Sequence, residues 1–261
     1  MFDPFKFTVQ KAKPLPILLM LDVSGSMSGV KIDTLNEAVR TMIETFADEE
    51  KMETEILVSI ITFGEEVKRL FPFTPASRVN FTDLTARGGT PLGVACSMAK
   101  AMIEDKDETP GRAYRPTIIL VSDGHPGDNW QPPLQSLIHE GRSAKCDRMA
   151  MAIGSDADLA VLGKFVEGTP NPLFEAHRAS EIKNFFKRVT MSVTMRTKSK
   201  DPNQIPTLNA DSPVSPQTSS AVPPNPSTAD SIKTASVKLD GVTILSPSSN
   251  SSPSDDEDSY F

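Results

Sequence analysis

The chain has 261 residues, 27 of them basic and 34 acidic, for a formal charge of −7; that length holds one or two domains. The acidity is uneven: from Ser199 onward eight acids face three lysines, which leaves residues 1–198 at only −2. So balanced a folded part argues against a nucleic-acid groove, whose affinity comes from clustered Lys and Arg displacing counterions.

In chain order, the apolar run Ile17–Leu21 reads as a buried strand. It is far short of the roughly 20 residues a spanning helix needs. It also runs into Asp22 rather than a small-residue cleavage site, so neither a membrane segment nor a leader is expected, and the cytoplasm is the expected compartment. Ile32, Leu35, Val39, Met42, Ile43 and Phe46 recur at helical spacing. Ile56–Phe63 is apolar on both faces, as in a strand covered by helices on each side. Val67–Phe71 reads as a short edge strand ending at Pro72. Leu92, Ala95, Cys96, Ala99, Met102 and Ile103 mark a second helix, closed off by Pro110-Gly111. Thr117–Ser122 is the next strand. Pro132-Pro133 opens a helix carrying Leu134, Leu137 and Ile138, because a first turn tolerates the missing N–H. Arg148–Ile153 and Leu173–Ala176 read as strands, and Ile182, Phe185, Phe186, Val189 and Val193 as the apolar stripe of a last helix.

Strands alternating with helices imply right-handed crossovers and an α/β fold: a doubly wound, mostly parallel central sheet flanked by helices. The two cysteines, Cys96 and Cys146, are far apart and form no CxxC pair. They are expected as buried free thiols, not as a disulfide or a zinc site. The domain is expected over residues 1–198 and a Ser/Pro-rich acidic tail over 199–261. That tail has too little apolar surface to offset the entropy of ordering, so it is expected to be disordered. Within it, Val237–Leu245 alternates like a strand, and reads as a random apolar cluster, an internal strand or a peptide for a partner's sheet edge. Ser212-Pro213, Ser215-Pro216, Ser246-Pro247 and Ser248–Ser254 offer phosphoacceptors.

Three loops carry the chemistry. Asp22-Val23-Ser24-Gly25-Ser26 leaves the first strand with one carboxylate and two hydroxyls two residues apart. Gly88-Gly89-Thr90-Pro91-Leu92-Gly93 puts a hydroxyl just before a helix, and Ser122-Asp123-Gly124 a carboxylate just after a strand. In a doubly wound sheet all three fall at the carboxyl edge, where ligands gather. Hard neutral and anionic oxygens suit Mg²⁺, which takes six oxygens at about 2.0–2.1 Å, or Mn²⁺. Gly25 and Gly89 are expected to let backbones approach closely. Competing chemistries are poorly supported. Asp22 as a phosphotransferase nucleophile lacks a second aspartate two residues on, where Ser24 stands. No GxGxxG follows the first strand and no G-x-S-x-G elbow exists for a hydrolase. His125 reads as a solvated loop residue, and His139 and His177 lack metal-ligand spacing.

The three-loop pattern resembles the von Willebrand factor A (vWA) domain and its metal-ion-dependent adhesion site, with Asp22, Ser24 and Ser26 in its Asp-x-Ser-x-Ser loop, Thr90 as its threonine and Asp123 as its later aspartate. Further likeness, to bacterial TerY/YegL-type vWA proteins, lies in Leu15-Pro16-Ile17, Ser26–Gly29, Leu35–Ala38, Ile61–Gly64, Gly88–Gly93, Tyr114-Arg115-Pro116, and Ser122–Gly124 with Pro126 and Trp130. His125 stands where many of those relatives have an acid, and a Ser/Pro tail replaces their cysteine-rich extension. The resemblance implies a non-enzymatic interaction module. In it the serines and threonine bind the cation directly, the aspartates act through water, and an acidic side chain of a protein partner completes the coordination. It also implies a bacterial signalling or stress system with protein kinases and PP2C-type phosphatases as partners. Two variants stay open: Asp255–Asp258 of the tail occupying the site and autoinhibiting it, and a last helix that shifts on ligation.

Overall fold

A computed structural model describes residues 13–49 and 54–206. The readings made for the tail beyond residue 206, including Val237–Leu245 and the phosphoacceptor serines, lie outside the described residues. The elements are β1 (Lys13–Asp22), α1 (Val30–Glu49), β2 (Thr54–Phe63), β3 (Val67–Pro75), α2 (Leu92–Glu104), β4 (Thr117–Ser122), α3 (Gln131–His139), β5 (Asp147–Ile153), α4 (Leu159–Val166), β6 (Leu173–Ala176) and α5 (Ala179–Thr197). They form a six-stranded sheet in the order β3-β2-β1-β4-β5-β6. Only β3 runs antiparallel. Among the described residues no helix is long and apolar enough to cross a membrane.

Side-chain alternation along the central strands builds both cores at once, because successive residues point to opposite faces. Leu15, Ile17, Leu19 and Leu21 of β1, with Ile119 and Val121 of β4, pack against α1 and α5. Leu18 and Met20, with Ile118 and Leu120, pack against α2, α3 and α4. The continuous apolar runs in the sequence are therefore strands buried on two faces. Cys96 and Cys146 are buried and unpaired in the second core.

Three departures from the sequence reading have local causes. β3 does not stop at Pro72 but runs to Pro75. Phe71 pairs with Ile60 and Thr74 with Val58, so β3 carries an extra residue there, and the bulge on an edge strand accommodates a proline without an N–H. Helix α4 was not foreseen; it is a helix of about two turns that buries Val161, Leu162, Phe165 and Val166 and is capped by Asp158, which accepts from the Ala160 and Val161 amides. Finally, α5 does not run straight into the tail. The fully buried Arg196 donates to Pro202 O (2.7 Å), Thr117 Oγ1 (2.6 Å) and Arg115 O (2.5 Å), and Asn203 Oδ1 accepts from Arg115 N (2.8 Å). Residues 199–203 are thereby folded back against the amino ends of the strands.

Candidate metal centre

Strand β1 lies between β2 and β4, and the chain leaves it toward β2 while β4 continues the sheet the other way. This reversal opens a crevice at the carboxyl edge, and Asp22, the last residue of β1, stands in it. Asp22 is fully buried. Its Oδ1 accepts from Ser24 N (2.8 Å) and its Oδ2 from Ser122 Oγ (2.5 Å). Parallel pairing of Leu21 with Val121 places Ser122 beside it.

Beyond Asp22 the chain stays extended through Ser24 and then turns over Gly25–Met27. The turn brings Ser24 Oγ within 3.0 Å of Ser26 Oγ, and Ser26 Oγ donates to Asp123 Oδ1 at 2.7 Å. The threonine loop is tied to this turn through main chain. Arg87 N donates to Val23 O (2.7 Å), Gly25 N to Gly88 O (3.0 Å), and Glu65 N to Arg87 O (3.0 Å). Gly88 sits at φ +82°, and a Cβ there would lie 2.3 Å from the Glu65 backbone; one on Gly64 would lie 2.6 Å from Arg87 O. The expected close approach thus falls on Gly88 and Gly64. Gly89 has nothing within 4 Å of a Cβ position, and at Gly25 the nearest atom, Gly88 O, is at an ordinary 3.6 Å.

Thr90 is buried and held from a third side: its carbonyl accepts from Gly127 N (3.0 Å), and Asp128 caps α2 by accepting from Gly93 N (3.0 Å) and Val94 N (3.1 Å). A Cβ on Gly124 would stand 3.3 Å from Thr90 Oγ1 and 3.8 Å from Ser26 Oγ. The two hydroxyls therefore face one small space over a residue that has no side chain. Asp22, Ser24, Ser26, Thr90 and Asp123 are brought together at one edge, with Ser26 exposed at the mouth.

Sequence reasoning passed over three contributors. Ser122 stands in the Ser122-Asp123-Gly124 motif, but its bond to Asp22 joins two strand ends, as Asp128's joins a loop to α2, and no local pattern marks either contact. Lys31, in the first turn of α1, donates to Asp123 Oδ2 at 2.7 Å; its one visible signal was a cation where the helix macrodipole disfavours it. His125 is the loop residue expected, its ring 70% exposed and its Nδ1 3.1 Å from Asp158 Oδ2.

Burial raises the Asp22 carboxyl from 3.8 to about 6, against the Ser122 and Ser24 hydrogen bonds that favour its ionised form. Among the described residues no group of three or more His, Cys, Asp or Glu side chains could hold a metal, so a cation here has to draw on hydroxyls. The donor set fits one: three neutral hydroxyls and two carboxylates, all hard oxygens, around a space kept open by Gly124.

Comparison with known proteins bears on the fold. A family model described as the von Willebrand factor type A domain matches residues 17–125. The described residues have the vWA fold. A von Willebrand factor type A protein from Catenulispora acidiphila superposes with a TM-score of 0.54 at 18% identity, covering 70% of this chain and 43% of that one. Proximal thread matrix protein 1 of the mussel byssus, in a form with a zinc-occupied MIDAS motif, superposes with a TM-score of 0.51 at 14% identity, covering 68% of this chain and 47% of that one. In sequence, human inter-alpha-trypsin inhibitor heavy chain H4 is 26% identical over 163 residues, and the rat voltage-dependent calcium channel subunit alpha-2/delta-3 is 27% identical over 133. The chain spans only 17% and 12% of their lengths, while 58% and 46% of it is matched.

Proposed function

We propose that this vWA domain is a non-enzymatic, cation-dependent interaction module. Ser24, Ser26 and Thr90 would hold a divalent ion, Mg²⁺ or Mn²⁺, directly, with Asp22 and Asp123 in support. The ion would supply a Lewis-acidic point for a carboxylate oxygen of a partner protein. The observation that carries this reading is the convergence of Thr90 Oγ1 and Ser26 Oγ on the space above Gly124, with Asp123 bound to Ser26. Zinc in the corresponding motif of the mussel protein supports a divalent cation without choosing which.

Hydrolysis or phosphoryl transfer finds less support. Asp22, the nearest candidate nucleophile, is fully buried with hydrogen bonds on both oxygens. A protein partner also suits the rim: Val30, Val94 and Leu159 are exposed in the first turns of α1, α2 and α4. These turns follow loops at the carboxyl edge, and apolar side chains around a charged centre favour a protein contact. We further propose a cytoplasmic adaptor in a bacterial signalling or stress system. Its partner would be an acidic surface on a protein kinase or PP2C-type phosphatase, as the TerY/YegL resemblance implies.

The test is a pull-down from native lysate in Mg²⁺ and in EDTA, with T90A alongside. Proteins lost both in EDTA and with T90A are the expected result. The same proteins retained in both would move binding to another surface and end this reading.

A further inference from the structure

Lys31 stands in a position its own helix disfavours. It is the second residue of α1, where unpaired amides and the macrodipole repel a cation. Its side chain is nevertheless drawn in, only 18% exposed, to reach Asp123 Oδ2 at 2.7 Å. The ammonium passes over Gly154 at the end of β5, where a Cβ would lie 3.5 Å from Nζ. The two oxygens of Asp123 are thus divided. Oδ1 faces Ser26 and the hydroxyl cluster, while Oδ2 is taken by Lys31 on the far side. Lys31 does not compete for a place among the hydroxyls; it changes the charge they sit in.

We propose that Lys31 sets the charge balance of the site, weakening the hold on the cation and strengthening the capture of an anionic partner group. This inference rests on the metal reading above. Asp22 and Asp123 together cancel a divalent ion, and three neutral hydroxyls add nothing. With Lys31 against Asp123 the loaded centre keeps a formal charge of +1, so a carboxylate meets net attraction. Without Lys31 the loaded centre is neutral and the free centre more negative. The cation is then held more tightly and the carboxylate more weakly. Charges a few ångströms apart at a partly buried site are coupled strongly enough for about a tenfold change in each constant. A residue that merely braced Asp123 would act differently, since its loss would weaken both.

The full chain, as wild type, K31M, K31R and T90A, is titrated with Mn²⁺ alone and followed by water-proton relaxation. Acetate is then titrated into the Mn²⁺-loaded protein, reading loss of Mn²⁺-bound water. K31M keeps the apolar stem over Gly154 and is expected to bind Mn²⁺ about tenfold tighter and acetate about tenfold weaker, each factor being about 1.4 kcal/mol. K31R keeps the charge and is expected to follow wild type in both. The proposal is overturned if K31M leaves either constant unchanged, weakens both, or is matched by K31R. If wild type binds no more Mn²⁺ than T90A does, the metal reading itself fails and takes the proposal with it, an outcome distinct from the others.

Discussion

Replacing Asp22 with Asn should stabilise the metal-free protein while removing its response to cations. Burial raises this carboxyl from 3.8 to about 6, and the sign follows from the two states. Below about pH 3.8 it is protonated whether folded or not, and contributes nothing. Between about 3.8 and 6 the unfolded chain ionises first, so stability falls as pH rises. Above about 6 both states are ionised and the whole cost is present, about 3 kcal/mol for that rise. Asn removes the charge but turns one acceptor into a donor against Ser122 Oγ, which gives back about 1 kcal/mol. D22N should therefore gain about 2 kcal/mol near pH 7 in EDTA, about 4–8 °C for a domain of this size. Near pH 4 it should be no more stable than wild type. Urea unfolding followed by the single tryptophan, Trp130, measures this directly. Mg²⁺ at about 100 times its Kd should then add about 2.7 kcal/mol to wild type and nothing to D22N, erasing the difference. A variant less stable than wild type near pH 7 in EDTA would refute the reasoning, as would a gap that does not shrink toward pH 4.

Three other changes have definite expectations. G124A puts a methyl group 3.3 Å from Thr90 Oγ1 and 3.8 Å from Ser26 Oγ. It should cut Mn²⁺ affinity at least about tenfold, about 1.4 kcal/mol, with little change in melting temperature; calorimetric titration showing wild-type affinity would remove Gly124 from the site. R196M deletes three hydrogen bonds, two of them buried, and leaves the buried Asp147 without the cation that most favours its ionised form. A loss of about 3 kcal/mol is expected, together with faster proteolysis around Lys198 and Lys200; unchanged cleavage would mean the fold-back does not depend on Arg196. Burial pushes the Cys96 and Cys146 thiols up to about 12. Neither should react with a disulfide reagent near pH 8 until the protein unfolds, and rapid native labelling would contradict their placement.

The sequence alone determined what is local and periodic. Continuous apolar runs in β1 and β4, helical spacing in α1, α2 and α5, and the strand-to-helix rhythm led to the doubly wound sheet, because burial on both faces of a strand or one face of a helix marks the chain locally. Asp22, Ser24 and Ser26 could be grouped because one turn holds them. Thr90 and Asp123 could be added because such a sheet puts every strand-to-helix loop on one edge. Only the tertiary structure decided what depends on contacts between distant segments. Lys31 meets Asp123 across 92 residues and Ser122 meets Asp22 across 100. Asp128 caps a helix that starts 36 residues before it. Arg196 buries its charge against carbonyls of Arg115 and Pro202. Gly88, not Gly89, carries the close approach, since the Glu65 backbone that crowds it arrives from another loop. A hydrogen bond or ion pair joining such segments leaves no period in the sequence, because its geometry exists only once the sheet has brought the loops together.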